Sequence, residues 1–462
     1  MKLPSSTFTA VLATVGLLFA TSVVRAVPSF ARQMNMQCTA CHTDYPILND
    51  FGRQFKLSGY TMSTGQSSLP PISFMLEPTY SSTQRGQPGG AGPGFNDNNN
   101  FALNQASIFY AGRLFGDLAG ADPTALANKF GVFIQATYDG VGKAWHWDNA
   151  EVRFADRGTV AGRDVSYGVY ANNNPTLQDP WNSTPVWSFP FNGSALAPTP
   201  AGAPLIAGGT DDAQKVGGVG TYAMIANSVY LDVGAYRTLG TQFQKRMGVD
   251  PATETEIPSF APYWRVALQR QVGGGTWEVG AFGMAADTYP QSDHTVGKDH
   301  YVDVGFDSQY QCSIDQHDVT AMLSYIYEDQ KLGASQVGGY STNASNSLWA
   351  LKGTVDYLYD KTYGGAVKYF IADGTRDPVL YQSGAAGGSL NGSPLSDGLI
   401  MEVNYLPFAK GGGPAFWPKS SVKFLLQYTV YDRFNGARTN YDGTGRNARD
   451  NNTLFLEAWI LF

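Results

Sequence analysis

Two cysteines and one histidine within MNMQCTACHTDYP, residues 34–46, have the types and the spacing needed for chemistry. Cys38 and Cys41 are separated by two residues, and His42 follows directly. A C-x-x-C core occurs in dithiol redox pairs, in zinc sites and in covalent haem attachment. A histidine directly after the second cysteine is the c-type haem arrangement, with two thioether bonds and a proximal histidine on the iron. The stretch predicts one haem c held by Cys38 and Cys41 and ligated by His42.

The other two chemistries fit this stretch less well. A structural zinc site takes four ligands, and the sequence has neither a second C-x-x-C nor an H-x-x-H. A thioredoxin-like dithiol needs a βαβ context, and no such pattern surrounds the motif. The dithiol chemistry also gives no role to His42.

The sixth ligand of the iron is open at this stage. A methionine opposite the histidine is usual in cytochromes c, and Met62, twenty residues after His42, is the first candidate for a distal ligand. Met34 and Met36 precede the cysteines more closely, and an open or water-ligated iron also fits. The later histidines are further alternatives: His146, His294, His300 and His317.

The first 26 residues are expected to be an export signal. Lys2 is followed by an uncharged apolar run over 8–24, and Ala26 provides a small residue for cleavage. Without Lys2 and Arg25, the mature chain has 29 basic and 38 acidic residues and a net charge of −9. No basic patch is visible, which argues against nucleic-acid partners.

Residues 72–462 have the pattern of a membrane-spanning β-barrel. Aromatic residues make up 13% of the chain, glycines number 53, and cysteines only three. No stretch beyond the signal has the roughly 18 apolar residues that a membrane-spanning helix requires. Barrel strands instead alternate lipid-facing apolar and lumen-facing polar residues. The final stretch NTLFLEAWILF ends on Phe462 with an apolar alternate face, which resembles the C-terminal strand of outer-membrane barrels.

About sixteen antiparallel strands are predicted from this alternation. In SLWALKGTVDYLYD, for example, Val355 and Tyr357 share one face, and Lys352 and Asp356 share the other. A barrel of this size encloses an aqueous channel. The segments are 72–80, 104–115, 128–138, 149–156, 163–171, 214–223, 226–238, 261–271, 275–286, 299–309, 317–330, 347–358, 362–372, 397–407, 421–433 and 453–462.

The connections between these strands support the same topology. Long connections follow odd-numbered strands and tight ones follow even-numbered strands, with 116–127 and 408–419 as exceptions. The longest, 172–213, is expected to fold into the lumen. His317 is predicted at the periplasmic rim, within reach of a lumenal haem, and Cys312 in a tight turn with no assigned role.

Residues 27–71 form a separate predicted unit in front of the barrel. A short amphipathic helix is expected over 44–59, with Asp44 as its cap, Pro46 in the first turn and Gly59 as its end. A segment this short buries little surface by itself. We therefore expect it to pack against the lumen, so that haem and helix plug the channel.

The same segment resembles the amino-terminal part of the fused outer-membrane monohaem cytochrome c–porins, the iron-oxidising outer-membrane cytochrome type. The resemblance covers about 35 residues. It implies haem attachment by Cys38 and Cys41, axial ligation by His42, and a haem inside or at the mouth of the barrel. The matching positions are Phe30, Ala31, Arg32, Gln33, Cys38, Cys41, His42, Pro46, Leu48, Phe51, Gly52, Arg53, Phe55, Lys56, Gly59 and Tyr60.

Two functions are consistent with these features. In the first, the haem accepts electrons from an extracellular donor such as Fe(II) and passes them to a periplasmic c-type cytochrome, which would make the chain an oxidoreductase of the iron(II) oxidase or iron–cytochrome c reductase type. In the second, the barrel is a porin or solute channel, and the haem segment is a plug, a gate or a redox sensor. The two functions differ in whether the lumen is occluded, and an occluded lumen should show low ion conductance. The direction of electron flow is open.

Overall fold

The fold is known from a computed structural model of the chain. It describes residues 27–64, 70–116, 122, 124–187, 190, 192–208, 216–246, 255–382, 388–411, 413–414 and 419–462. The predicted export signal lies outside the described residues.

Seventeen β-strands are present in the described part of the chain, and sixteen of them form the wall of a closed barrel. Consecutive wall strands pair antiparallel, and the first pairs with the last, with Tyr80 opposite Leu456. The additional strand, β8, pairs only with the end of β10. The strands are β1 (Ile72–Thr83), β2 (Asn100–Arg113), β3 (Phe130–Asp139), β4 (Ala144–Val160), β5 (Arg163–Asn172), β6 (Val216–Ile225), β7 (Val229–Thr238), β8 (Thr255–Glu256), β9 (Ala261–Val272), β10 (Gly275–Pro290), β11 (Asp299–Ile314), β12 (His317–Lys331), β13 (Ser345–Tyr359), β14 (Tyr363–Gly374), β15 (Ser396–Tyr405), β16 (Ser421–Arg433) and β17 (Thr453–Leu461).

The wall strands alternate as predicted. On β13, Val355 is 54% exposed and faces outward, whereas Asp356 is buried. On β11, Phe306 is 55% exposed and its neighbour Asp307 is buried. Each strand therefore presents apolar side chains to the outside and polar side chains to the inside, and all sixteen predicted strands are confirmed.

The two ends of the barrel differ in the length of their connections. The end with tight connections, here called the turn end, carries 161–162, 226–228, 273–274, 315–316 and 360–362. The opposite end, the loop end, carries the long connections, including 173–215 and 434–452. Two longer connections, 114–129 and 406–420, also lie at the turn end. They correspond to the two connections predicted as exceptions to the pattern of lengths.

β4 begins earlier than predicted, at Ala144 rather than 149, which shortens the connection before it to 140–143. The register between β3 and β4 shifts, because Ile134 is opposite Ala150 but Ala136 is opposite Trp147. One extra residue in β4 breaks the two-residue periodicity at this point. The alternation of polar and apolar residues therefore locates the part of β4 after the bulge but not the part before it.

The amino-terminal segment contains two helices, α1 (Pro28–Met34) and α2 (Asp50–Leu57), joined by a 3₁₀ turn at Cys38–Ala40. The predicted start of the second helix at Asp44 is wrong. Its N-cap is Asn49, whose side chain accepts a hydrogen bond from the Gly52 N–H at 3.0 Å. No described helix is long and apolar enough to cross a membrane. The other short helices are α3 (Thr241–Arg246), α4 (Gly333–Gly338) and the 3₁₀ turns Leu126–Lys129, Pro185–Trp187, Leu205–Ala207 and Ala448–Asn451.

Candidate functional site

The three residues of the C-x-x-C-H motif lie on one turn of chain. The N–H groups of Cys41 and His42 both donate to the carbonyl oxygen of Cys38, each at 3.0 Å. The backbone N–H of Asn49 donates to the carbonyl oxygen of Cys41 at 2.9 Å. The side-chain amide of Asn49 donates to the carbonyl oxygen of Ala40 at 3.1 Å. The start of α2 thus holds the turn in place.

Gly52 of α2 lies directly against this turn. A Cβ atom at position 52 would lie 2.2 Å from the carbonyl oxygen of Cys41 and 2.9 Å from a methyl carbon of Leu48. Only a glycine permits such an approach of two backbones. The spacing of helix and turn therefore depends on the absence of a side chain at position 52.

A cavity of about 350 Å³ opens beside the motif, within the range of about 300–1,000 Å³ that is typical of ligand sites. Its wall includes Cys41 and His42. The rest of the wall comes from three parts of the chain. The apolar contributors are Phe30, Phe55 and Tyr60 of the amino-terminal segment, Phe109, Phe133 and Trp459 of the wall strands, and Trp187 of the connection 173–215.

Not all the predicted site residues line this cavity. Cys38 is 1% exposed and does not contribute to the lining. Met34 and Met36 line the cavity, whereas Met62 does not. Met62 packs against the apolar cluster that includes Met34, Phe55 and Tyr60. Its carbonyl oxygen accepts a hydrogen bond from Gln33 Nε2 at 2.7 Å. The assignment of Met62 as distal ligand stays a prediction.

The histidines other than His42 do not line the cavity. His317 is exposed, lies against the outward rings of Tyr357 and Tyr359, and has its Nδ1 2.7 Å from Tyr357 Oη. It therefore belongs to the outer surface and not to the lumen. Cys312 lies within β11 and not in the turn where it was predicted.

The His42 imidazole is suited to bind a metal ion. Burial lowers its pKa to about 4, against a smaller opposing effect of the Ile47 and Pro46 backbone. The ring is therefore neutral near pH 7, which is the form that ligates metals. Its Nδ1 is buried and has no hydrogen bond of acceptable geometry within the described part of the chain. Burial also raises the pKa of the Cys41 thiol to about 11.

Zinc is not supported at this place. Among the described residues, no group of three or more histidine, cysteine, aspartate and glutamate side chains is arranged to hold a metal ion. The three cysteines, all within the described residues, form no disulfide with one another. Cys38 and Cys41 thus lack the further protein ligands that a structural zinc site takes.

Polar side chains of the amino-terminal segment pair with the buried faces of the wall strands. Asp44 Oδ2 lies 2.8 Å from Lys423 Nζ of β16, and Tyr60 Oη donates to Glu151 Oε1 of β4 at 2.8 Å. The alternation in the sequence predicted the inward direction of Lys423, but not its partner. These residues were missed at the sequence level because their pairing is set only by the closed barrel.

The described residues of the connection 173–215 fold inward as predicted. Its Asp179 lies 3.5 Å from Arg265 of β9, and its Asn192 donates to Glu457 of β17 at 2.7 Å. The Leu205 N–H donates to Glu328 of β12 at 2.6 Å. This loop thus contacts buried strand faces far apart on the wall, on β9, β12 and β17.

Solved structures with a similar fold are outer-membrane proteins of low identity. OmpTdeltaL8, a loop L8 deletion mutant of OmpT from Vibrio cholerae, is 11% identical, with 85% of this chain and 98% of that chain covered and a TM-score of 0.43. The anion-selective porin from Comamonas acidovorans is 9% identical, with 84% and 98% covered and a TM-score of 0.44. OprB of Pseudomonas putida is 12% identical, with 84% and 93% covered and a TM-score of 0.43. No protein-family model and no curated protein matches the chain.

The barrel itself defines the class of protein. A closed wall of sixteen antiparallel strands satisfies every strand's backbone hydrogen bonds without a free edge, as the interior of a bilayer demands. Its outward apolar face matches a lipid environment. The chain therefore has the architecture of a membrane-spanning β-barrel.

Proposed function

We propose that this barrel is an outer-membrane electron conduit. In this proposal, residues 27–71 form a monohaem cytochrome c segment that plugs the lumen at the turn end, which faces the periplasm. Cys38 and Cys41 hold the haem and His42 is its proximal ligand. The observation that carries the proposal is the apolar cavity with Cys41 and His42 in its wall.

The residues around the cavity fit a haem in three respects. The wall is largely aromatic and apolar, as a macrocycle requires. The His42 ring is neutral near pH 7, which is the form that ligates iron. The turn brings the backbones of Cys38, Cys41 and His42 together. A haem c bound there would supply a one-electron carrier.

The surrounding protein would keep water and solutes away from the haem. The segment 27–64 contacts the wall through Asp44 and Lys423, and Asn182 of the connection 173–215 donates to the carbonyl oxygen of Pro46 at 2.8 Å. Both parts line the cavity. The proposal requires that these two parts occlude the lumen, which would favour electron transfer over passage of a solute. We propose Fe(II) as the extracellular donor and a periplasmic c-type cytochrome as the acceptor. The activity would then be that of an iron(II) oxidase or iron–cytochrome c reductase.

The second candidate is a porin or solute channel, and the fold favours it. A barrel of sixteen strands is the architecture of aqueous channels. The amino-terminal segment would then be a plug, a gate or a redox sensor that leaves the lumen under some condition. The two candidates differ in whether the barrel conducts ions and whether Fe(II) reduces the haem.

One pair of measurements tests the proposal. Purified protein in detergent is mixed anaerobically with Fe(II) while the haem absorption bands are followed. Rapid reduction that is lost in His42→Ala is the expected result. If dithionite reduces the haem but Fe(II) does not, Fe(II) is not the donor. If the protein in a planar bilayer shows the conductance of an open sixteen-stranded channel, the porin candidate is the correct one.

A further inference from the structure

The cavity contains one buried ammonium group whose role the proposed function does not explain. Lys56 of α2 is 4% exposed and lines the cavity. Its Nζ donates to Asn182 Oδ1 at 2.8 Å and lies 4.4 Å from the ring centroid of Trp187. Asn182 and Trp187 belong to the connection 173–215 and also line the cavity. Lys56 thus lies where the amino-terminal segment meets the inward loop.

Lys56 has no ion pair with a carboxylate among the residues that the structure describes. The nearby Glu151 carboxylate is taken by Arg153 at 2.5 Å and by Tyr60. The nearby Asp179 carboxylate accepts hydrogen bonds from the Ser183 and Thr184 backbone, at 2.9 and 3.1 Å, and also faces Arg265.

A buried charge without a counter-ion is costly, and the Trp187 ring offsets only part of that cost. An anion that enters the cavity would supply the missing counter-charge.

Lys56 lies on the face of α2 that contacts the haem motif. Gly52 and Lys56 are four residues apart on α2 and therefore lie on the same face of the helix. Gly52 contacts the Cys41 carbonyl oxygen, and Lys56 lies one turn further along. A planar ligand attached at Cys41 can thus extend along this face toward the ammonium group.

The remaining polar groups restrict where a carboxylate can lie. Glu77 and Asp148 also line the cavity and offer no positive charge to an anion. Glu77 accepts a hydrogen bond from Asn192 Nδ2 at 3.1 Å. Lys56 is the only lysine or arginine among the described residues of the lining. An anionic group is therefore favoured next to Lys56, Asn182 and Trp187 and disfavoured elsewhere in the cavity.

We propose that Lys56 binds a carboxylate of the ligand in this cavity, namely a propionate side chain of the haem. The inference rests on the proposed haem site and adds a residue that orients the haem. Asn182 positions the ammonium group, and Trp187 covers it. The haem would thus be fixed at two places, by the motif at one edge and by Lys56 at a propionate.

The experiment changes the ligand and the protein in parallel. Full-length protein with Cys38→Ala and Cys41→Ala, which cannot form thioethers, is titrated in detergent with haemin and with haemin dimethyl ester. We expect haemin to bind about 10- to 100-fold more tightly than the ester, as a charge-assisted hydrogen bond allows. Adding Lys56→Met should remove this difference, because it should weaken the binding of haemin but not that of the ester. Lys56→Arg should keep it, and the exposed Lys331→Met should leave it unchanged.

The outcomes separate the inference from the proposed function. If both ligands bind and Lys56→Met leaves their ratio unchanged, the role of Lys56 is overturned and the haem site stands. If neither ligand binds and the native protein carries no haem, the haem site is overturned and the inference falls with it. If Lys56→Met fails to fold, the test is the ratio of haemin affinity to ester affinity in Lys56→Arg. A ratio near one in that variant would contradict the proposal.

Discussion

Lys423 Nζ lies 2.8 Å from Asp44 Oδ2, a contact that spans 379 positions of the chain and joins two side chains that are each 1% exposed. Glu402 Oε1 of β15 lies on the other side of the ammonium group, at 3.1 Å. Asn404 Nδ2 also donates to the Asp44 carboxylate, at 2.9 Å. The amino-terminal segment is therefore held to the wall by a buried charge network. Such a network is costly to break from one side, because the remaining charges stay buried without a partner.

Lys423→Met should weaken the attachment of the amino-terminal segment. The substitution leaves Asp44 and Glu402 buried without their cation, which costs about 3–5 kcal/mol. We expect higher ion conductance in planar bilayers and faster protease cleavage within 27–64. Lys410→Met is the control, because Lys410 is exposed and pairs with Asp360 at the same end of the barrel. Unchanged conductance and unchanged protection of the segment would contradict this account of the attachment.

Gly52→Ala should reduce haem attachment while the barrel still forms. The added Cβ would lie 2.2 Å from the Cys41 carbonyl oxygen, so that α2 and the motif turn must move apart. The measurement is haem content per folded barrel, from the absorption spectrum and from haem staining after denaturing electrophoresis. Gly353→Ala is the matched control, since its Cβ would meet only Leu323 at an ordinary 3.7 Å. Equal haem content in the two variants would argue against the close packing of helix and turn.

The distal ligand can be identified by comparing three methionine variants. Met34 and Met36 line the cavity and Met62 does not. We expect Met34→Leu or Met36→Leu to alter the charge-transfer band of a methionine–iron bond and to lower the reduction potential. Met62→Leu should leave both unchanged. If Met62→Leu alone removes the band, the prediction from sequence spacing is correct and the segment rearranges when haem binds.

The stability of the haem-free segment should rise with pH above neutrality. Burial and, to a smaller extent, the charge of Arg153 lower the pKa of Lys56 from 10.5 to about 7. Between these two values the unfolded segment binds more protons than the folded one, so the free energy of unfolding increases with pH, at about 1.4 kcal/mol per unit at most. Urea midpoints for proteolysis of 27–64 in the Cys38→Ala, Cys41→Ala variant, measured between pH 7 and 10, should show the increase. Lys56→Met should remove it, and an identical slope in that variant would assign it to other groups.

Much of the wall was predictable from the sequence because strand periodicity is a local property. Each wall strand has an exposed apolar face, and the alternation of residues such as Phe306 and Asp307 shows it directly. The start of β4 was not predictable, because a bulge near Asp148 and Asn149 breaks the alternation. Both of these residues line the cavity, so the irregularity lies where the site is built.

The haem chemistry of the candidate site is predicted from the sequence alone, whereas its surroundings were not predictable. The spacing of Cys38, Cys41 and His42 indicates haem attachment without any tertiary information. Asp44 looked like a helix cap, because an acidic residue before Pro46 is typical of a helix start. Its actual partner, Lys423, is distant in the sequence. Contacts of this kind depend on barrel closure and the inward loop, and no local pattern encodes them.

The measurement that tests the central claim most directly is the intact mass of the purified full-length protein, compared with that of the Cys38→Ala, Cys41→Ala variant. The account predicts that the native chain carries the added mass of one haem and that the variant, with its barrel intact, carries none. A native chain with two unmodified thiols, isolated from cells that attach haem to other c-type cytochromes, would contradict the account. The barrel would then be a plugged porin without a haem.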